Sequence, residues 1–222
     1  MGYNRIGKFR LMEKVTLPNM ERGPWKVEQF TTDRLCWNSA LSGRPVPVGE
    51  TFTCLVYKRQ TIMSDTPAEM RDHACAVHRA SGHCLIHGLG LGMVLKNILL
   101  KPEVTAMTVI EIDQDLIDMV APHYADPRVT VICADALAWK PPKGVRYNMI
   151  WSDIWAGICS DNLKDMTVLR RRFGRRCDWH GCWCDAECWR QRRQEQRQEK
   201  ENAYWDAAFN GYKRLEHAIE TA

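Results

Sequence analysis

The feature that most constrains the fold of this chain is a glycine run that directly follows a short apolar segment. Cys84–His87 has the composition of a buried strand, and Gly88–Gly92 then reads G-L-G-L-G. Met93–Leu100 has helical apolar spacing and is stopped by Pro102. Glycines at such a turn let the backbone bend tightly and approach a ligand closely. A strand, a glycine loop and a helix in this order are typical of nucleotide-binding α/β folds.

The alternation of apolar runs and helical stretches continues to residue 155. Met107–Ile112, Val129–Cys133 and Tyr147–Trp151 are predicted strands, and Gln114–Tyr124 is a predicted helix. Near-continuous apolar strands separated by helices indicate a parallel sheet that is covered on both faces. We therefore predict an α/β fold with a Rossmann-like parallel sheet over residues 83–155. The late strands of such a sheet are not evident, so we expect it to be truncated or completed by C-terminal helices.

The segments on either side of this core differ from it. Residues 1–82 contain two strand-like runs, Phe52–Arg59 and Gln60–Ser64, and predict a small N-terminal β-rich region. Residues 156–222 predict a helical C-terminal extension with a Cys/Trp-rich turn at Cys177–Cys188. The sequence thus predicts three regions, with boundaries after residues 82 and 155.

Composition places the chain among soluble globular proteins. Hydrophobic residues make up 45% and charged residues 26%, which is ordinary for that class. No apolar run reaches the roughly 20 residues that a membrane span needs, and the N-terminus lacks the apolar core of a signal peptide. We expect a cytoplasmic protein, in which the ten cysteines are mostly thiols rather than disulfides.

Acidic residues follow three of the predicted strands. Glu111 ends the second strand, Asp135 follows the third and Asp153 ends the fourth. The carboxyl ends of parallel strands meet at one edge, which is the usual ligand side of such a sheet. A carboxylate like Glu111 binds ribose hydroxyls in this position. The residue after the loop is Met93 rather than glycine, which argues against a dinucleotide, so the sequence predicts a nucleoside-type ligand.

These segments resemble those of the class I S-adenosylmethionine-dependent methyltransferases, and in particular their spermidine synthase-like branch. The matching motifs are V-I-E-I-D at Val109–Asp113, D-P-R-V at Asp126–Val129, A-D-A at Ala134–Ala136 and Y-N-M-I-W-S-D at Tyr147–Asp153. The resemblance covers a third of the chain. It implies a Rossmann-like fold and S-adenosylmethionine as the cofactor.

By this resemblance the cofactor lies against the glycine loop and the strand ends. Glu111 then holds the ribose, Asp135 the adenine, and Asp153 falls where the family places the acid that handles the substrate amine. Asp153 is therefore the candidate catalytic residue, with a helix N-cap as its other interpretation. Trp151 and Trp155 beside it are either an aromatic wall for an acceptor or buried packing. The implied cofactor-binding residues are His87, Gly88, Leu89, Gly90, Gly92, Glu111, Ile112, Asp135, Ala136 and Asp153.

The chain departs from the spermidine synthases at two places. Their aspartate inside the glycine loop has no counterpart in Leu89–Gly92, and their D-S-x-x-P after the fourth strand is replaced by Asp153–Ala156. We therefore expect a methyltransferase with an unidentified small-molecule or amine-bearing acceptor. Two other hypotheses stay open: a spermidine synthase-like aminopropyltransferase or another S-adenosylmethionine-consuming enzyme, and a catalytically inactive nucleoside-binding module.

The Cys/Trp-rich turn has two interpretations. Cys177, His180, Cys182, Cys184 and Cys188 have the chemistry of zinc ligands. Their spacing is closer than that of the separated pairs in structural zinc sites. Free thiols in a Trp-rich turn are favoured, and no metal is assigned.

Residues 161–200 contain eleven Lys/Arg and seven Asp/Glu, a local balance of +4 that equals the net charge of the whole chain. Arg170–Arg176 is a dense basic patch that suits nucleic-acid phosphates. Arg190–Glu201 interleaves acids and bases, as a solvated helix does, and Ala203–Ile219 has apolar residues near one face. A nucleic-acid partner is one hypothesis for this region, and a solvated or homo-oligomer face is the other.

Overall fold

The structure is a computed structural model, and it describes residues 12–34, 41 and 43–220. The first eleven residues of the predicted N-terminal β-rich region lie outside the described residues. The chain divides into two compact units. The first comprises Met1–Gly157 and Lys164–Trp183, and the second comprises Ile158–Leu163 and Cys184–Ala222.

Four antiparallel strands form a small sheet in the first unit, in the order β1-β2-β3-β4. They are β1 (Met20–Arg22), β2 (Trp25–Thr31), β3 (Thr51–Tyr57) and β4 (Gln60–Ser64). Lys58 and Arg59 connect β3 to β4 with positive φ angles of 47° and 72°. Such angles give a two-residue hairpin turn whose twist matches its strands. The strand predicted to run to Arg59 therefore ends two residues earlier.

Five parallel strands form the central sheet of the same unit, in the order β7-β6-β5-β8-β9. They are β5 (Gly82–His87), β6 (Val104–Glu111), β7 (Val129–Cys133), β8 (Tyr147–Ser152) and β9 (Cys177–Cys182). The chain builds outward from β5 to β7 and then returns to the other side of β5. This reversal between β5 and β8 is the topological switch point, where ligands bind in open α/β sheets.

Helices cover both faces of the central sheet, which confirms the predicted fold class. Cys84 and Ile86 of β5 lie in one core cluster and Leu85 lies in another, because successive strand residues face opposite sides. The first cluster includes residues of α1 (Pro67–Arg79), α2 (Met93–Leu99) and α3 (Gln114–Val120); a 3-10 turn, Ala121–Tyr124, follows α3. The second includes Leu169 and Phe173 of α4 (Asn162–Phe173).

Strand β9 corrects one expectation. Cys177–Cys182 belongs to the segment that was expected to be helical with a Cys/Trp-rich turn, but it is the fifth strand of the sheet and pairs in parallel with β8. Successive side chains of β9 contact different residues of β8. Trp179 stacks on Trp151 with 6.3 Å between the ring centroids, and His180 hydrogen-bonds Ser152. The sequence of β9, C-D-W-H-G-C, contains no β-branched residue, so it lacks the usual compositional signal of a strand.

The second unit contains α5 (Asp185–Glu220), a single helix of 36 residues. The sequence predicts two helices here, Arg190–Glu201 and Ala203–Ile219, but neither proline nor glycine separates them and the helix runs through. Within this unit Ser160 Oγ donates a hydrogen bond to Glu195 at 2.6 Å. None of the helices in the described residues has both the length and the apolar character needed to cross a membrane.

Candidate active site

The strands of the central sheet end at one level. His87 of β5 pairs with Ile110 of β6 and with Ser152 of β8, and Glu111 pairs with Cys133 of β7. The loops that follow these strands therefore leave the sheet along one edge. Most of the residues predicted to bind the cofactor come together there, on the loops at Gly88–Gly92, Ile112–Asp113, Ala134–Asp135 and Asp153.

The glycine loop forms a tight turn from β5 into α2. Its three glycines all have positive φ angles, of 93°, 52° and 70°. A side chain at Gly88 would meet the carbonyl oxygen of Asp153, and one at Gly92 would meet the ring of Tyr124. Glycine is required at both positions by backbone conformation and by close packing. The loop is thereby held against the end of β8 as well as β5.

A methionine from the N-terminal sheet lies against this loop. Met63 of β4 occupies the space beside Gly90, and its Sδ accepts a hydrogen bond from Leu91 N–H at 3.2 Å. A thioether is a weak acceptor. The Leu91 N–H group is therefore a donor that a stronger acceptor, such as a carboxylate, would engage in place of the sulfur.

Glu111 is 7% exposed and accepts three backbone hydrogen bonds. Leu89 N–H donates to Oε2 at 2.8 Å, and the N–H groups of Ile112 and Asp113 donate to Oε1 at 2.8 and 3.0 Å. A carboxylate offers about four acceptor positions. These bonds fix Glu111 between β6 and the glycine loop and leave capacity on Oε2 for a further donor.

The residues after β6 and β7 are more open. Ile112 is 68% exposed, and Asp135 is exposed with its Oδ1 accepting Leu137 N–H at 2.8 Å. An apolar surface with a carboxylate on the adjacent loop suits a flat ring with polar edges. Ala136, by contrast, is buried, and its carbonyl oxygen accepts a hydrogen bond from Arg172.

Asp153 is fixed by its backbone, while its carboxyl group is poorly satisfied. Its N–H donates to the His87 carbonyl oxygen at 2.9 Å. Across the described parts of the chain, no donor hydrogen-bonds its carboxyl group, and His73 Nε2 lies 3.5 Å from Oδ2. The next helix begins at Asn162, so Asp153 is not a helix N-cap, and the alternative interpretation of this residue is wrong.

Helix α1 supplies the groups that surround the Asp153 carboxyl. Glu69, Asp72 and His73 share one face of α1, because residues three and four apart are neighbours on a helix. Burial, and then repulsion from Glu69, Asp72 and Glu111, raises the pKa of Asp153 to about 8. Burial lowers the pKa of His73, whose side chain is 2% exposed, to about 4. At neutral pH the imidazole is therefore uncharged and the Asp153 carboxyl is mostly protonated.

The two acids on α1 have partners of their own. Glu69 accepts hydrogen bonds from the Ser64 N–H and hydroxyl groups at 2.8 and 2.9 Å, and burial raises its pKa. Asp72 pairs with Arg44 at 2.7 Å. Asp153 is therefore the acid in this group that is placed to exchange a proton, in surroundings that favour a cationic or amine ligand.

The side chain of His87 lies inside the sheet rather than at the edge. It is fully buried, and its Nδ1 is 2.8 Å from Ser152 Oγ, which is also 2.9 Å from His180 Nε2. The ring packs 4.9 Å from Phe173. Burial lowers the pKa of His87 to about 3 and that of His180 to about 4. The group of His87 that lies at the edge is its backbone carbonyl oxygen, which accepts the hydrogen bond from Asp153 N–H.

The two tryptophans near Asp153 are also used in packing. Trp151 is 3% exposed and stacks on Trp179 with an interplanar angle of 3°. Trp155 is partly buried, and its Nε1 donates to Asp165 at 3.1 Å. The structure supports the packing interpretation for Trp151.

The five candidate zinc ligands are spread over several elements. Cys177, His180 and Cys182 are on β9, Cys184 is in the following turn, and Cys188 is in α5. In the part of the chain that the structure describes, no group of three or more His, Cys, Asp or Glu side chains is arranged to hold a metal ion.

Two arginines of the basic patch are engaged within the first unit. Arg172 donates to the carbonyl oxygens of Ala136 and Trp139 at 3.3 and 3.2 Å, and Arg176 donates to that of Pro142 at 3.4 Å. These bonds tie the end of α4 to the loop before β8. Only part of the charge at Arg170–Arg176 is therefore presented to a partner.

The sequence candidates do not include the site residues from the N-terminal region. Met63 has no motif around it. Glu69, Asp72 and His73 have one signal, namely their spacing on a helix-compatible segment, but nothing local shows that this face meets Asp153. That contact is made by the packing of α1 on the sheet.

Comparison with known proteins yields structural neighbours. No protein-family model matches the chain, and no curated protein matches its sequence. Solved structures similar to it include spermidine synthase from Thermotoga maritima, with a TM-score of 0.39, 15% identity and coverage of 55% of this chain and 45% of that one. The N-methyltransferase NodS from Bradyrhizobium japonicum has a TM-score of 0.40, 14% identity and coverage of 51% and 64%.

A third similar structure is a DhpI–SAH complex, with a TM-score of 0.36, 17% identity and coverage of 48% and 49%. The chain spans less than half of the length of the spermidine synthase that it matches. Two of these neighbours, the spermidine synthase and the N-methyltransferase, carry the names of the classes that the sequence motifs resemble. The strand order and the parallel strand directions given above define the fold.

Proposed function

We propose that this chain is an S-adenosylmethionine-dependent transferase that methylates an amine-bearing acceptor. The observation that carries the proposal is the presence of two unlike carboxyl groups at one edge of the sheet. Glu111 is held by backbone N–H groups beside the glycine loop, whereas Asp153 is partly buried next to other acids. The first suits a nucleoside and the second suits an acceptor that must lose a proton.

The residues at this edge fit S-adenosylmethionine. Glu111 has acceptor capacity for a ribose hydroxyl, and Ile112 and Asp135 offer an apolar surface and an acceptor to the adenine. The Leu91 N–H, whose partner is a thioether, suits the carboxylate of the methionine part. When bound, S-adenosylmethionine supplies a methyl group on a positively charged sulfur.

Asp153 is placed to receive the proton that a cationic amine must lose before its nitrogen can attack the methyl group. With a pKa of about 8, its carboxylate form becomes available at mildly alkaline pH. Glu69 and Asp72 add negative potential, which raises the local concentration of a cationic amine. His73 is a positioning residue, because in the tautomer with a proton on Nε2 it can donate to the Asp153 carboxylate once that forms.

A labelled-methyl assay tests this proposal. The protein is incubated with methyl-labelled S-adenosylmethionine and a panel of amines and polyamines, and products are identified by mass spectrometry. We expect a methylated amine, with kcat/KM rising with pH through about 8. Asp153→Asn should reduce turnover by at least about a hundredfold without changing cofactor affinity. Asp178→Asn, which changes an exposed acid on β9, should have no effect.

Aminopropyl transfer is the second candidate, because the acidic surroundings of Asp153 suit an amine acceptor in either reaction. Decarboxylated S-adenosylmethionine is therefore included as a parallel donor. An aminopropylated product would replace the methyltransferase proposal. Binding of S-adenosylmethionine with no product from either donor would favour a nucleoside-binding module without catalysis.

A further inference from the structure

The second half of α5 carries an aromatic stripe, defined by Tyr204, Trp205, Ala208, Phe209 and Tyr212. Its four aromatic side chains are between 60% and 67% exposed. At about 100° of rotation per residue, the five positions fall within an arc of about 140° on one side of the helix. The sequence continues the same period at Leu215 and Ile219. The stripe is therefore the apolar face of an amphipathic helix.

The half of α5 that precedes the stripe has a different character. Its charges pair within the helix, where Arg190 pairs with Glu187 and Arg192 pairs with Glu195 and Glu199. A helix of this kind is stable in water without a partner. The stripe has no comparable polar content.

The exposed area of the stripe is large enough for a specific contact. A covered aromatic side chain buries roughly 150–250 Å², so four of them at this exposure present on the order of 500 Å². Patches of this size on a single chain are often functional. Two stripes face to face would bury about 1,000 Å², which is the lower limit for a specific protein interface.

We propose that the stripe is the interface of a homodimer in which two copies of α5 pack antiparallel. Asp206 and Lys213 lie along the same edge of the stripe, two helical turns apart, and both are exposed. In an antiparallel pair centred between Phe209 and Asn210, Asp206 of each copy lies opposite Lys213 of the other. The twofold axis repeats this acid–base contact. A parallel pair brings the two different edges together and makes neither contact.

Sedimentation equilibrium of the full chain tests the dimer. We expect a reversible monomer–dimer equilibrium at concentrations up to about 100 μM. Phe209→Glu places a charge at the centre of the interface and should weaken association by at least about a hundredfold. Asn210→Glu adds the same charge on the opposite face of the helix and should leave association unchanged. Circular dichroism confirms that each variant keeps its helix.

A charge swap tests the antiparallel arrangement. Asp206→Lys and Lys213→Asp should each weaken association by up to about tenfold, and the double swap should restore it. A monomer at every concentration, or a dimer that survives Phe209→Glu, would overturn the proposal and point to a different occupant of the stripe. A double swap that associates no better than the single variants would reject the antiparallel pairing.

Discussion

Two carboxyl groups lie at the same edge of the central sheet in opposite surroundings. Glu111 accepts three backbone N–H groups at 2.8–3.0 Å, and Asp153 has a neutral imidazole at 3.5 Å and acids nearby. A carboxylate held by three backbone N–H groups has a fixed position, and its remaining acceptor capacity suits ligand binding. A partly buried carboxyl that has acids nearby and no hydrogen-bond donor among the described residues suits proton exchange. We therefore propose that the site divides into a binding half around Glu111 and a proton-transfer half around Asp153.

The largest expected contrast between the two acids is in turnover and in the pH dependence of stability. The pKa of Asp153 is about 8 in the fold against an ordinary value of 3.8, so the folded state holds a proton that the unfolded state releases. The stabilisation that the protonated Asp153 adds to the free energy of unfolding is fully present below pH 4 and is lost as the pH rises to 8. At about 1.4 kcal/mol per pKa unit, this loss has an upper limit of about 6 kcal/mol.

Asp153→Asn removes that loss, so the variant should gain stability over the parent protein as the pH rises. Urea unfolding at pH 5 and pH 8 measures the gain, which should be larger at pH 8. Glu111→Gln is the matched variant, and an amide among backbone donors should lower the free energy of unfolding by about 2 kcal/mol at both pH values. Equal destabilisation by Asp153→Asn at both pH values would contradict the difference between the two acids.

A smaller effect is expected at His73. His73→Ala removes the one imidazole beside Asp153, so the pKa of Asp153 should rise further and the pH at which kcat rises should move up by about half a unit to one unit. At pH 8 we expect kcat to fall by up to about tenfold with KM little changed. His73→Gln keeps an N–H donor and should recover part of the rate. A raised KM with an unchanged pH profile would show a purely structural role for His73.

The smallest effect is expected at Met63, on the binding half. The thioether of Met63 occupies the Leu91 N–H group and must leave it before a ligand can accept that hydrogen bond. Met63→Ala should therefore tighten S-adenosylmethionine binding by about threefold. Met63→Leu should have less effect, because leucine keeps most of the side-chain volume. Calorimetry measures both affinities. Weaker binding by Met63→Ala would show instead that Met63 contacts the ligand.

The binding half of the site can be predicted from the sequence because its parts are local. The loop at Gly88–Gly92 and the acid Glu111 belong to consecutive strands, and their contact follows from parallel pairing. The proton-transfer half cannot be predicted in the same way. His73 and Asp153 are far apart in the chain, and the packing of α1 against β8 decides that they meet. The buried position of the His87 side chain likewise follows from its bond to Ser152.

The strands that the sequence does not reveal share a physical cause. Trp25–Thr31 carries Lys26, Glu28 and Gln29 on a small half-exposed sheet, so its apolar pattern is weak. Cys177–Cys182 is held in the sheet by ring stacking and a histidine hydrogen bond rather than by β-branched residues. Sequence patterns reveal a strand through its β-branched residues and its alternation of buried and exposed positions. A strand that is stabilised mainly by contacts with specific neighbouring side chains lacks these signals and is missed.

The most direct test of the account is a calorimetric titration of S-adenosylmethionine into the intact protein, Glu111→Ala and Asp153→Asn. The division of the site predicts one binding site in the intact protein, affinity at least about a hundredfold weaker in Glu111→Ala, and unchanged affinity in Asp153→Asn. No binding by the intact protein, or equal binding by Glu111→Ala, would contradict the assignment of this edge as a S-adenosylmethionine site.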